Sequence, residues 1–142
     1  MKLVADANEF FSGVIVKGKE LQSRTLDILF SDEIELFAPL RLLAELENNR
    51  DEIRLKSGFS SSEFDAFTGI LKLRITFLPL EEFLDKLEGA KELPPHPKDL
   101  EYFALALKLD CAIWSEEKAF KKQSKVKILS TSEVWEILFS KQ

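Results

Sequence analysis

A chain of 142 residues, 45% hydrophobic and 32% charged, is long enough to bury a core without disulfides or metals to staple it. Its single cysteine, Cys111, excludes an intrachain disulfide, and its single histidine, His96, excludes zinc held by several Cys and His ligands. The net charge of −5 argues against a general nucleic-acid coat protein. No run approaches the roughly 18 apolar residues of a membrane span. The N-terminus lacks the basic, apolar, small-residue order of a secretory signal. Together these features predict a cytoplasmic protein with no membrane partner. Any metal here would rest mainly on oxygen ligands, which points to magnesium or manganese.

Leu3, Val4 and Ala5 form an apolar run that ends in Asp6-Ala7-Asn8, the pattern of a buried strand with a carboxylate at its carboxyl end. In open parallel sheets, ligands bind beyond those ends. Asp6 and Asn8 are also favoured helix N-caps, so both readings stand at this point. Residues 9–16 and 20–30 predict two helices, and residues 34–38 a second strand closed by Pro39. Residues 40–56 read as one long helix, with Leu42, Leu46 and Ile53 on its apolar stripe. Ser60 and Glu63 have capping-box spacing and open a helix carrying Phe64, Phe67, Ile70 and Leu71.

Residues 75–78 predict a third strand, and residues 81–88 a helix that Gly89 ends. Pro94, Pro95 and Pro97 make the next stretch a connector, because each biases the preceding residue away from the helical region. A helix over residues 98–109, a strand over 111–114, a short helix over 116–123 capped by Ser115, and a strand over 126–129 follow. Ser130 and Glu133 form a second capping-box pair before a last helix at residues 134–139. Strands alternating with helices predict an α/β fold, a parallel sheet covered on both faces in a single domain over residues 1–142. The twelve phenylalanines read as core filling, as do Phe120 and Trp114.

Four acids stand near strand-helix junctions. Asp6 follows the first strand, Glu45 lies on the helix after the second, Asp99 precedes the fourth strand and Glu117 follows it. Each has a plainer reading. Asp99 and Glu117 suit helix N-termini electrostatically, and Glu45 suits a surface beside Glu47. Spacing alone does not bring the four together.

The ordered set Asp6-Ala7-Asn8, Leu43-Ala44-Glu45-Leu46, Pro97-Lys98-Asp99 running into Ala104-Leu105-Ala106-Leu107, and Ile113-Trp114-Ser115-Glu116-Glu117 resembles the PIN-domain nucleases, a group that includes the VapC-type toxin ribonucleases. The resemblance covers essentially the whole chain. It implies a three-layer α/β/α sandwich with a central parallel sheet of about five strands. It implies a ribonuclease that cleaves single-stranded RNA with magnesium or manganese. The metal-holding acids would be Asp6, Glu45, Asp99 and Glu117, with Ser115 and Asn8 orienting the site. It also implies RNA as substrate, a homodimer, and an antitoxin protein as a candidate partner.

Two departures stand out. Glu117 replaces the Asp usual in the family, and Ala119 stands where a further acid is common. His96 lies where some members carry an acid, and here it reads as an exposed connector residue. Lys118, Lys121 and Lys122, with Lys125 and Lys127, form a basic run beside Glu117 that could meet RNA phosphates or face solvent. Lys17, Lys19 and Arg24 are a weaker second candidate. The chief alternative is a catalytically weak or inactive PIN-like RNA-binding or interaction module, motivated by Glu117 and Ala119. A phosphohydrolase or phosphotransferase on a similar sheet lacks support, because the chain has no Gly-rich phosphate loop.

Overall fold

The structure is a computed structural model that describes residues 1–6 and 19–140. Strand β1 (Lys2–Ala5) pairs in parallel with β2 (Glu35–Pro39) on one side and β4 (Ala112–Trp114) on the other. Beyond them, β3 (Ile75–Leu78) pairs with β2, and β5 (Ile128–Leu129) with β4, both in parallel. The order β3-β2-β1-β4-β5 makes β1 the central strand. Leu3, Val4 and Ala5 are fully buried, as are Ile113 and Trp114. Strands with both faces covered are apolar without alternation, which is how these segments read in the sequence.

The chain runs from β1 outward to β3, then crosses back to β4 and on to β5. Right-handed crossovers place the connections of those two halves on opposite faces, giving the α/β/α sandwich. The reversal falls between β1 and β4. That pair of strand ends is the switch point, where open α/β sheets form their ligand crevice.

Among the described residues, seven α-helices accompany the sheet. They are α1 (Lys19–Leu29), α2 (Arg41–Asn48), α3 (Arg50–Ser57), α4 (Ser61–Arg74), α5 (Leu87–Ala90), α6 (Leu100–Leu109) and α7 (Thr131–Phe139). α6 packs against β1, β2 and β4, while α1 packs against α7. The core gathers Trp114, Phe64, Phe83, Phe103 and Phe120, all fully buried or nearly so. Phe103 and Phe120 meet edge to face at 5.0 Å, a favoured aromatic geometry. Phe30 and Phe139 are exposed, so the reading of the phenylalanines as core does not extend to them.

The predicted helix over residues 40–56 is two helices. Asn49 leaves the helical region (φ −101°, ψ 17°), and its N–H still reaches the Glu45 carbonyl at 3.0 Å. Adjacent Asn48 and Asn49 favour caps and turns over helix interiors. Across that corner Arg50 bonds Asp65 at 2.7 Å and Ser61 Oγ at 2.6 Å, and it lies over the Phe64 ring, tying α3 to the start of α4.

The predicted helix over residues 81–88 is instead two 3-10 turns, Leu80–Glu82 and Leu84–Lys86, followed by the short α5. Gly89 lies inside α5 and does not end it. Phe83, between the turns, is fully buried and lies outside the helical region (φ −133°, ψ 18°), so burial of one large ring overrides local helical pattern. Both capping boxes form, at Ser60 with Glu63 and at Ser130 with Glu133. α7 begins at Thr131, three residues ahead of the predicted start. The predicted helix over residues 9–16 lies outside the described residues.

Candidate functional site

The register between β1 and β4 sets Ala5 opposite Trp114, so the next residues, Asp6 and Ser115, emerge side by side at the switch point. The Asp6 N–H donates to the Trp114 carbonyl at 3.0 Å, and the Ser115 N–H to the Leu129 carbonyl at 3.0 Å. Both side chains are buried, Asp6 at 4% exposure and Ser115 at 2%. A buried carboxylate needs donors, and the Ser115 hydroxyl supplies one, reaching Asp6 Oδ2 at 2.9 Å.

A hydroxyl can donate and accept at once. Ser115 Oγ accepts from the Glu117 N–H at 3.0 Å, and Glu117 Oε1 accepts from the Ala119 N–H at 3.2 Å. The expected helix over residues 116–123 is a 3-10 turn, Lys118–Lys122, and its N-cap is Glu117, not Ser115. Ser115 therefore serves Asp6 and the backbone of Glu117, and Glu117 sits one step outside the turn.

Asp99 closes a 3-10 turn, Pro97–Asp99, and passes directly into α6. It is half-buried. Burial raises its carboxyl pKa and the negative charge of Glu117 adds to that, while Lys98 and His96 pull the other way. Asp99 thus feels the charge of Glu117.

Glu45, on α2, is held by Arg41 one turn earlier, Nε to Oε1 at 3.2 Å. The same guanidinium bonds Glu101 Oε2 at 3.0 Å, so Arg41 bridges α2 to α6. Its own pKa is raised, first by the bond to Glu101 and then by the charge of Glu45.

Tyr102, on α6, is buried between these groups. Burial lifts the pKa of its phenol well above the usual value, and the charges of Asp6, Glu45, Asp99 and Glu101 lift it further. Tyr102, which feels Asp6, Glu45 and Asp99 together, is a residue that the sequence reading did not single out. Its hydroxyl has no hydrogen-bond partner among the described residues. A small recess beside it is walled by Arg41, Glu45, Lys98 and Glu101, with Pro39 and Leu42. A signal existed in the sequence: Tyr102 is the only tyrosine, three residues after Asp99 and so on the same side of the helix start. Arg41, four residues before Glu45, carried a similar one.

Lys118, Lys121 and Lys122 are exposed. Lys121 is bound to Glu133 Oε1 at 2.7 Å, which ties the 3-10 turn to α7. Arg24 lies over the Trp135 ring at 4.6 Å. His96 is exposed, and its Nδ1 accepts from the Lys98 N–H at 3.1 Å. Asn8 and Lys17 lie outside the described residues.

Carboxylate oxygens are the donor chemistry that magnesium and manganese take. Among the described residues, no group of three His, Cys, Asp or Glu side chains is close enough to hold a metal ion. The placement explains it: Glu45 is turned to Arg41, and Glu117 to the backbone of Ala119. Both ties are exposed or half-exposed and of a kind that a divalent cation can displace.

A parallel sheet with a hydroxyl-held carboxylate at its switch point defines an α/β protein with a buried acid where such sheets bind ligands. The family model described as PIN domain matches residues 4–137, nearly the whole chain. The chain belongs to the PIN-domain family, whose fold is of the nuclease type and whose members generally use divalent metal ions. No curated protein and no solved structure matches it significantly.

Proposed function

We propose that this chain is a metal-dependent endoribonuclease, a hydrolase that cleaves phosphodiester bonds of single-stranded RNA as one PIN-like nuclease domain over residues 1–142. The observation that carries the reading is the buried Ser115–Asp6 hydrogen bond at the switch point, with Glu117 near enough to add to the raised pKa of Asp99. Asp6, Glu45, Asp99 and Glu117 would hold magnesium or manganese. When bound, the metal supplies an activated water and relief of charge at the phosphate.

The remaining roles belong to the chain. Ser115 holds Asp6 in one orientation and keeps its charge satisfied while the site is empty of substrate. Asp99 must be ionised to serve, and a cation nearby offsets the burial and repulsion that favour its proton. Glu45 joins the site by leaving Arg41, which stays paired with Glu101. Asn8 would orient the site beside Asp6. Lys118 and Lys122, on the exposed turn after Glu117, would meet the RNA backbone, with Lys121 released from Glu133.

The reading extends to a cytoplasmic toxin role, with an antitoxin covering the acidic crevice, and to a homodimer. Copurification and the mass in solution check these two assemblies.

Cleavage of unstructured RNA should need magnesium or manganese and stop with chelator. Asp6→Asn should remove most of that activity while the fold stays intact. Undiminished cleavage by the variant would make Asp6 a structural acid only. The second reading, a catalytically weak RNA-binding module, is favoured by Glu117, Ala119 and the outward-turned Glu45. Such a module would bind RNA with no turnover at any metal concentration.

A further inference from the structure

We propose that Arg41 is a positioning residue that competes with the metal for Glu45, and that Glu101 keeps the guanidinium when Glu45 leaves it. This rests on the nuclease reading and deepens it by naming what regulates metal entry.

Asp6, Glu45 and Asp99 all act on the buried Tyr102 phenol, so three of the proposed ligands lie within electrostatic reach of one group. Among the described residues, no three acids converge closely enough to hold a cation. Arg41 supplies a reason at Glu45. Its Nε lies 3.2 Å from Glu45 Oε1, and among the described residues that carboxylate is paired with Arg41 alone.

The two ties of Arg41 are unequal. Arg41 is the first residue of α2, where the helix dipole opposes a cation. It precedes Glu45 by four residues, the weaker order for an ion pair along a helix. The Glu45 side chain is 32% exposed, so water screens this pair. Glu101 stands in the first turn of α6, where the dipole favours an acid, and its side chain is only 18% exposed. It takes Nη1 at 3.0 Å, a different nitrogen from the one on Glu45. The guanidinium can therefore give up Glu45 and keep Glu101.

Two states follow. Without metal, Arg41 bridges Glu45 and Glu101. With metal, Glu45 turns to the cation and Arg41 remains on Glu101. Only molecules in which Glu45 is free are competent to use it as a ligand, so the Arg41–Glu45 pair lowers the apparent metal affinity by the fraction it occupies.

The test uses the full chain and manganese alone, with calorimetric titration as the readout. The Arg41 side chain is 56% exposed, so Arg41→Gln leaves no buried gap. It should tighten manganese binding about two- to fivefold, the range that an exposed ion pair spans. At a fixed manganese concentration its rise in melting temperature should exceed that of wild type. Glu45→Gln should weaken binding, and adding Arg41→Gln to it should change nothing further, because Arg41 acts through Glu45.

Unchanged or weaker binding by Arg41→Gln would overturn the competition, the weaker result making Arg41 a support that holds Glu45 ready. Equal tightening with and without Glu45 would overturn it too, since a cation's field alone does that. If Glu45→Gln binds manganese as wild type does, Glu45 is no ligand and the competition fails, while Asp6, Asp99 and Glu117 stand. If wild type takes no manganese, the nuclease reading itself fails and the competition with it.

Discussion

Ser115 is the residue on which the candidate site turns. Its hydroxyl both donates to Asp6 and accepts from the Glu117 N–H, so one side chain orders two of the acids. Ser115→Ala leaves a buried carboxylate short of a donor. It should cost about 1 to 3 kcal/mol in urea denaturation. A loss under about 0.5 kcal/mol, the range of ordinary surface changes, would mean that other donors satisfy Asp6. Asp99 makes a prediction of opposite sign. Its pKa is raised chiefly by burial, so the folded state holds this proton more tightly than the unfolded chain. Stability then falls as pH rises from the usual value of 3.8 through the raised one, and the cost persists above it. Without metal, Asp99→Asn should be more stable than wild type at neutral pH, and the advantage should vanish below that window. An advantage that is equal at all pH values would show that charge is not its cause.

At the scale of elements, the junction of the 3-10 turn Lys118–Lys122 with α7 holds the far side of the crevice. Glu133 closes the capping box of α7 and also takes Lys121. Its pKa is lowered to about 2, first by Lys121 and then by the Ser130 backbone. A lowered acid stabilises the fold above its unfolded value, here 4.5, and loses that contribution as pH falls toward about 2. Lys121→Ala should shrink the drop in melting temperature across that interval. An identical acid profile would show that the pair is too solvent-screened to count. Ser130→Ala removes the cap itself and should cost about 1 kcal/mol at neutral pH. The helix pair α2 and α3 shows the same scale from another side. A corner at Asn49 separates α2, which carries Glu45, from α3, while Arg50 anchors α3 to α4.

For the whole molecule, the charges of Asp6, Glu45, Asp99 and Glu101 all reach Tyr102 in a chain of net charge −5. A cation that binds only the native state stabilises it by mass action, about 2.7 kcal/mol at one hundred times its dissociation constant. Manganese should therefore raise the melting temperature, and chelator should return it. In Glu117→Gln that rise should be smaller, while the metal-free variant melts no lower than wild type because a charge opposing Asp99 is gone. If Glu117 is only the cap of its turn, the pattern reverses. The metal-free variant then loses roughly 0.5 to 2 kcal/mol of capping and the manganese rise is unchanged. That result would leave Asp6, Glu45 and Asp99 as the proposed ligands.

What the sequence determined alone is what local pattern encodes. The unbroken apolar runs at Leu3-Val4-Ala5 and Ile113-Trp114 announced buried parallel strands. The Ser60–Glu63 and Ser130–Glu133 pairs announced helix starts, and the ordered acids announced the PIN family. Local pattern failed where a single long-range contact outweighed it: at Phe83, whose burial breaks a helix, and at Asn49, where Arg50 turns the corner. Only the tertiary structure set Asp6 beside Ser115, 109 residues away, because strand order and register are properties of pairing and not of either strand. Only it showed Arg41 holding Glu45 and Glu101, and the Tyr102 hydroxyl enclosed without a partner among the described residues. Residue spacing places groups along one element, but which groups meet across elements is decided when the elements pack and exclude water.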